Sequence, residues 1–322
     1  DERSVWSEVM ASPVYLFTGF LDSGKSTLIK DTLSDPGFMD GTDKTLLLCF
    51  EQGEVEYDED FCKEHRLFVE YFDSADELTD QKLQDLNTIY GPSQVFIEWN
   101  GTVALPEKIL RGLPDVWPLV QILSTVDATT FEMYMNAMRS MLFEQLRYSD
   151  TIIVNRCTED TDARMLRGNI KAINRSAQIF YEGKFGEQVN LKQGLLPFDI
   201  NAPLIDISDD DYGLWYMDCT ENPMKYAGKK VTIRGYYAEN IPGYKQTFIL
   251  GRRAMVCCAE DTSLCGLTVT GVKIWEMKIG DWIEVTGTLK PVDLENGAKT
   301  VVLYAEKVSR YDKPAQEYVT FS

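Results

Sequence analysis

The run Gly19-Phe20-Leu21-Asp22-Ser23-Gly24-Lys25-Ser26 sets two glycines five residues apart and follows the second with a lysine and a hydroxyl. That spacing suits a loop that cradles phosphates. The glycines let the backbone turn its N–H groups toward a phosphate chain with no Cβ in the way. Lys25 would neutralise the β- and γ-phosphates, and the Ser26 hydroxyl would hold a magnesium ion. Asp22, Ser23 and Thr27 stand in the same loop and helix start and complete the candidate phosphate set. The neighbouring residues agree, because Val14 to Phe17 reads as a buried strand and a helix opens at Ser26, adding its positive end to the site.

Two later segments offer the rest of a nucleotide site. Glu98-Trp99-Asn100-Gly101 places an acid and a glycine at the end of an apolar run. It resembles the D-x-x-G turn of GTPases, in which the acid orients a magnesium-bound water and the glycine N–H meets the γ-phosphate. Asn155-Arg156-Cys157-Thr158 stands where such proteins keep the guanine-reading N-K-x-D. Asn155 can meet the purine N7 edge, and the alkyl stem of Arg156 can cover the base. The Asp is missing. Thr158 cannot accept guanine N1–H and N2–H as a charged pair, while Glu159 or Asp160 would reach only from a shifted turn.

Strand ends must hold these groups. Apolar runs of strand length occur at Thr45 to Phe50, Leu67 to Phe72, Gln94 to Trp99, Leu119 to Val126, Thr151 to Asn155 and Ala177 to Tyr181. Helices are predicted at Asp58 to His65, Asp76 to Tyr90, Thr130 to Tyr148 and Asp162 to Ile173. Continuous apolar strands alternating with helices imply an α/β half, a mostly parallel sheet covered on both faces. Glu51-Gln52-Gly53-Glu54 follows its strand at once, where a parallel sheet meets a ligand.

From Glu182 to Asp211 the apolar period fades into glycine, proline and acid, and Asp209-Asp210-Asp211 reads as a solvated loop. Beyond it come short alternating segments: Lys230 to Tyr237, Thr247 to Leu250, Ala254 to Ala259, Leu267 to Thr270, Trp282 to Leu289 and Thr300 to Tyr311. Glycines bound them, the texture of a small all-β, OB-like barrel. The predicted organisation is a nucleotide domain over 12–183, a linker over 184–212, a barrel over 213–312 and a tail over 313–322.

At 322 residues there is chain enough for two cores. A net charge of −19 argues against a protein that grips a nucleic-acid backbone, and the barrel aromatics Tyr236, Tyr237, Tyr244, Phe248 and Trp282 read as core and turn residues. No apolar run is long enough to span a bilayer and no leader is evident, so a cytoplasmic protein is expected, with Met10-Ala11-Ser12 as a natural start. Seven irregularly spaced cysteines fit a reducing compartment, and a single histidine, His65, rules out a histidine-based triad or metal tail.

Together, PVYLFTGFLDSGKSTLIKDTL, FEQGEVEYDED, VFIEWNG, STVDATTFEMY, FEQLRYSDTIIVNRCTED and INRSAQIFY resemble, in order and spacing, the CobW family of P-loop GTPases, relatives of HypB and UreG. The resemblance covers about Pro13 to Glu182. It implies slow GTP hydrolysis with magnesium, and delivery of zinc, cobalt or another metal to a client. By position, Lys25 and Ser26 match the phosphate and magnesium residues, Glu51 and Glu54 the acidic N-E-F-G-E-x-G segment, and Glu98 the E-x-x-G acid. Glu98 or Glu51 would orient water or the ion. The family's C-x-C-C is absent. Its interval holds Cys49, Cys62 and His65, and the last two read either as a ligand pair or as polar residues of an amphipathic helix.

The second half is similar to the OB-type domain of YcgQ-like proteins, which are often paired with predicted permeases, through TENPMKYAGKKVTIRGYY, TFILGRRAMVCCAEDTS and GDWIEVTGTLK. Cys257-Cys258 is the candidate zinc pair there, with Cys265 and Cys219 as companions. Adjacent strand residues face opposite sides, so the pair binds one metal only if the strand bulges; otherwise one thiol is core and the other half-exposed. The expectation is a GTP- and magnesium-dependent switch whose Glu51 and Glu98 loops respond to nucleotide and change how the barrel meets a metal-receiving client or permease. The competing readings are a P-loop kinase of a small molecule and a nucleotide-binding module without useful turnover.

Overall fold

A computed structural model describes residues 11–39, 43–51, 56–187, 189, 191, 196–244, 246–258, 261–272, 276–294 and 297–321, with residues 257 and 258 described in backbone only. The chain divides into two compact units, Asp1–Thr161 with Asn174–Leu191, and Asp162–Ile173 with Lys192–Ser322.

The first unit is built on parallel strands β1 (Val14–Thr18), β2 (Thr45–Cys49), β3 (Leu67–Tyr71), β4 (Gln94–Glu98), β5 (Leu119–Asp127), β6 (Thr151–Asn155) and β7 (Gln178–Tyr181), in the order β3-β2-β4-β1-β5-β6-β7. Its helices are α1 (Lys25–Ser34), α2 (Glu59–Glu64), α3 (Asp80–Tyr90), α4 (Glu107–Arg111), α5 (Phe131–Ala137) and α6 (Arg139–Leu146). The central strands β1, β2 and β4 are mostly apolar and almost wholly buried because both faces are covered. Val14, Leu16, Leu46, Leu48, Val95 and Ile97 pack with Leu83 and Leu86 of α3 and Ile109 of α4. Their alternates Phe17, Leu47, Cys49 and Phe96 pack with Ile29 and Leu33 of α1. Since β1 lies between β4 and β5 in parallel register, Phe17 beside Glu98 and Thr18 beside Ser124, the loop after β1 leaves the sheet between two strand ends.

Two predicted helices are each divided. Thr130 to Tyr148 breaks at Met138, whose backbone (φ −137°, ψ 35°) leaves the helical region. The break lets Phe131 and Met135 bury on one piece and Leu142 and Leu146 on the other. Asp76 to Tyr90 opens with a 3-10 turn, Ala75–Glu77, in a Ser74/Glu77 capping box, and α3 then restarts when Thr79 accepts from the Lys82 N–H. Two capping residues five apart impose two starts.

The second unit contains α7 (Ala163–Ile173), β8 (Ile205–Asp206), α8 (Tyr212–Glu221), β9 (Lys230–Asn240), β10 (Thr247–Cys258), β11 (Asp261–Thr270), β12 (Trp282–Asp293), β13 (Lys299–Arg310) and β14 (Tyr318–Val319). Strands β9, β10, β11, β13 and β12 pair in that order and return to β9, closing a five-stranded OB-like barrel. The β11–β13 contact is the parallel one, and β8 and β14 add to its edges. Tyr212, Trp215 and Cys219 of α8 belong to the same buried cluster as Val231, Val285 and Leu303, so the helix fills part of the barrel core.

The two segments Thr247 to Leu250 and Ala254 to Ala259 are one strand, not two. Gly251 and Arg252-Arg253 read as a break, yet β10 runs straight through them. A Cβ on Gly251 would stand 2.7 Å from the Cys265 carbonyl oxygen and 2.8 Å from Gly266 Cα, so glycine here permits close backbone approach. Arg252 is buried because it is paired. Its guanidinium donates to Asp209 Oδ1 at 2.9 Å and to the Gln316 carbonyl at 2.6 Å. Asp209 also accepts from the Tyr311 hydroxyl at 3.0 Å, so the first aspartate of the acidic run is a structural anchor, not a solvated loop residue. Among the described residues, no helix is long and apolar enough to cross a membrane.

Candidate functional site

The glycine loop takes backbone angles that its glycines allow. Gly19 (φ 153°) and Gly24 (φ 98°) both have positive φ, and Asp22 (φ 59°) joins them. Gly24 caps α1 and no side chain does so, which leaves the N–H groups of the first turn for a partner outside the helix. Lys25 is buried and donates to the carbonyls of Gly19 and Phe20, each at 2.9 Å. Its ammonium also lies 2.6 Å from Glu51 Oε2. Gly101, after β4, donates its N–H to the Gly19 carbonyl at 3.1 Å, so the E-x-x-G turn is tied to the loop directly. A Cβ at Gly101 would run into that same carbonyl.

Glu98 ends β4 almost fully buried. Its Oε1 accepts from Ser26 Oγ at 2.5 Å and its Oε2 from the Tyr57 hydroxyl at 2.8 Å. Two hard oxygen donors thus meet at the start of α1, beside Lys25, a set that fits magnesium better than a thiolate-seeking metal. Glu51 stands with Lys25, and Glu54 lies outside the described residues. Cys49 also approaches Glu98, at 3.6 Å, and donates to the Glu51 carbonyl at 2.9 Å. Burial, then the Glu98 charge, pushes its thiol up to about 12. It is therefore a neutral donor at physiological pH.

Beside the loop is a cleft of about 290 Å³ lined by Gly24, Thr27, Asn155, Arg156, Glu182 and Phe185 among others. Asn155 ends β6 and donates from Nδ2 to the Ser23 carbonyl at 2.7 Å, while its Oδ1 is buried without a partner among the described residues. Arg156 has a positive φ of 53°, which turns its side chain back over the loop. There it bonds the Asp22 carbonyl at 2.8 Å and Asp127 Oδ2 at 2.6 Å. Ser23 Oγ meets Thr125 Oγ1 at 2.6 Å. The structure thus brings the predicted residues Gly19, Asp22, Ser23, Gly24, Lys25, Ser26, Thr27, Glu51, Glu98, Gly101, Asn155 and Arg156 together at the strand ends.

Asp127, Tyr57, Thr125 and Glu182 are members that sequence reasoning passed over. Asp127 was legible as an acid ending the strand next to β1, and Glu182 as an acid ending β7. Tyr57 carried no signal, since only folding brings it to Glu98.

The thiols do not gather in the same way. Cys62 donates to the Tyr57 carbonyl at 3.6 Å, whereas His65 Nδ1 lies 3.1 Å from the Leu33 carbonyl, so each serves its own backbone contact. Cys219 and Cys265 are buried in the barrel core. Cys257 and Cys258 end β10, where the pairing with β11 slips between Met255 and Cys258, and their side chains lie outside the described residues. Among the described residues, no group of three or more His, Cys, Asp or Glu is placed to hold a metal ion.

A parallel sheet with a glycine loop after its central strand, a lysine and serine opening the next helix, and an acid on the adjacent strand end defines a P-loop nucleotide-binding domain. The chain belongs to the CobW/HypB/UreG family: the model of its nucleotide-binding domain matches residues 13–181, more than half of the chain. Members of that family are P-loop GTPases of the metallochaperone group. Residues 188–320 match the DUF1980 C-terminal domain.

Comparison with curated proteins returns no match. Among solved structures, the hydrogenase maturation factor HypB from Archaeoglobus fulgidus is 18% identical, with 54% of this chain and 83% of that one covered and a TM-score of 0.40. A zinc-bound triple mutant of the YjiA GTPase is 16% identical over 96% and 92% of the two chains, with a TM-score of 0.41. HypB from Helicobacter pylori in complex with nickel is 12% identical over 53% and 78%, with a TM-score of 0.36. Likeness at this level carries nothing about mechanism.

Proposed function

We propose that the protein is a magnesium-dependent GTP-binding and GTP-hydrolysing switch that acts in the handling of a metal by a client protein or permease. One observation carries the nucleotide part: the ammonium of Lys25, the uncapped first turn of α1 and the Ser26–Glu98 pair converge on one loop. The family membership supports the choice of GTP and the metal-related role, and a reducing cytoplasm suits seven irregularly spaced cysteines.

In this reading the amides of Gly24 to Ser26 and the Lys25 ammonium take the β- and γ-phosphate oxygens, and Lys25 gives up Glu51 to do so. Magnesium would be held by Ser26 and Glu98 and, when bound, supplies neutralisation of charge on the phosphates. Glu98, oriented by hydrogen bonds from Ser26 and Tyr57, positions a water in the site. Glu51, once off Lys25, and Glu98 respond to the bound nucleotide, and that response is the switch. Turnover is slow, since the motifs supply no arginine finger, and a partner would raise it. The barrel presents the client-facing surface.

The test is phosphate release from GTP and from ATP with magnesium, in the wild type and in Lys25→Ala. Release from GTP that Lys25→Ala abolishes supports the reading. Release from ATP with GTP ignored removes the guanine assignment, ADP release that depends on a small-molecule acceptor makes the protein a kinase, and binding without release makes it a nucleotide-holding module.

A further inference from the structure

We propose that Glu182 selects the base: its carboxylate accepts the N1–H and N2–H of guanine in place of the aspartate that the Asn155-Arg156-Cys157-Thr158 segment lacks. This rests on the reading of the site as one for a guanine nucleotide.

The acids next to that segment are poorly placed for the task. Thr158, Glu159 and Asp160 are all exposed on the turn after β6, where the Thr158 N–H is taken by Thr161 Oγ1 at 2.8 Å. None of the three lines the cleft that holds Asn155. Glu182 does. It immediately follows β7, and its backbone is pinned on both sides: its N–H donates to the Val154 carbonyl and its own carbonyl accepts from Cys157, each at 2.9 Å. Glu182 is thereby fixed beside the strand end that carries Asn155, in the same cleft of about 290 Å³.

The carboxylate is half-buried, and no described residue donates a hydrogen bond to it. Burial, and then the charge of Asp31 across the cleft, raise its pKa above the ordinary glutamate value. A partly desolvated acceptor without donors gains most from a ligand that brings them. Asp31, the other acid in the cleft, is exposed. A carboxylate can only accept. Guanine offers two adjacent donors, N1–H and the N2 amino group, whereas adenine sets the N1 lone pair beside its amino group and would be repelled. Phe185, 85% exposed at the rim, supplies a ring face for a planar base.

Replacing the carboxylate by an amide changes which purine fits. Glu182→Gln accepts one hydrogen bond and donates another, the complement of xanthine, which presents N1–H beside a C2 carbonyl. Calorimetry with magnesium and GTP, ATP or XTP is performed on the full chain as wild type, Glu182→Gln and Asp31→Asn. GTP affinity is expected to fall about 10- to 100-fold in Glu182→Gln, from loss of hydrogen bonds to a charged acceptor, with a gain in XTP binding, while Asp31→Asn keeps the GTP preference. The XTP gain shows that the variant is folded. If Glu182→Gln keeps the wild-type preference for GTP, or if GTP binding improves because the carboxylate opposed guanine O6, the assignment is overturned although the site remains one for guanine. Loss of GTP preference in Asp31→Asn alone moves the role to Asp31. A wild type that binds GTP no better than ATP removes the guanine reading itself.

Discussion

Glu51 Oε2 lies 2.6 Å from Lys25 Nζ, with side-chain exposures of 10% and 3%. The lysine that a triphosphate requires is already engaged by an acid of the same chain. Phosphate must displace that acid, so Glu51→Gln is expected to tighten GTP binding about tenfold while slowing turnover, if roughly 1.4 kcal/mol is spent on breaking the pair. Calorimetry and single-turnover phosphate release separate the two effects. Weaker binding in Glu51→Gln would mean that the carboxylate helps to hold the ion.

The same pair makes a stability prediction. Lys25→Ala leaves a carboxylate almost out of water and without its counter-charge, a loss of about 3–5 kcal/mol for a fully buried pair and less here. The double variant Lys25→Ala/Glu51→Gln should melt higher than Lys25→Ala alone. Equal melting temperatures would show that Glu51 finds water once Lys25 is gone.

Gly101 permits no side chain, because a Cβ would meet the Gly19 carbonyl that its own N–H engages. Gly101→Ala should push the two loops apart, costing about 1–3 kcal/mol of stability as an overpacked contact, and lower GTP affinity. Denaturant unfolding and calorimetry read the two consequences. A variant indistinguishable from wild type in both would show that the loops are not coupled.

Cys49 has a thiol pushed up to about 12 from an ordinary 9.0, mainly by burial and then by Glu98. The folded state therefore binds this proton more tightly than the unfolded state. The contribution to stability is whole below pH 9 and is lost as pH rises from 9 toward about 12. At pH 8.5 alkylation of Cys49 by iodoacetamide should run about 100-fold or more slower than that of a free thiol, followed by peptide mass spectrometry. Cys49→Ser, which keeps a donor to the Glu51 carbonyl, should lose the alkaline part of the stability profile.

In the barrel, Arg252 is fully buried between the rings of Tyr212 and Trp282, 5.6 and 5.3 Å from its guanidinium, and Asp209 is its carboxylate partner. Asp209→Ala should cost about 3–5 kcal/mol by stranding that charge, whereas Arg252→Met with Asp209→Asn should recover much of it. Thermal unfolding of the full chain checks both. Equal losses in the single and double variants would mean that packing, not charge, is what the site needs.

The phosphate loop was legible because its chemistry is local: eight consecutive residues carry the turn, the ammonium and the hydroxyl, and continuous apolar strands on either side imply a parallel sheet. Parallel strands then bring their carboxyl ends to one edge, so Glu98, Asn155 and the loop could be expected together. The barrel was legible in the same way, from alternation and glycine.

What only folding decided are the pairings between residues far apart in the chain: Glu51 with Lys25, Tyr57 with Glu98, Asp127 with Arg156, Asp209 with Arg252. Periodicity reports which way a side chain faces, but not which opposite charge or donor it meets. A charged pair such as Arg252-Arg253 therefore reads as a turn until the packing that neutralises Arg252 shows it to be the middle of a strand.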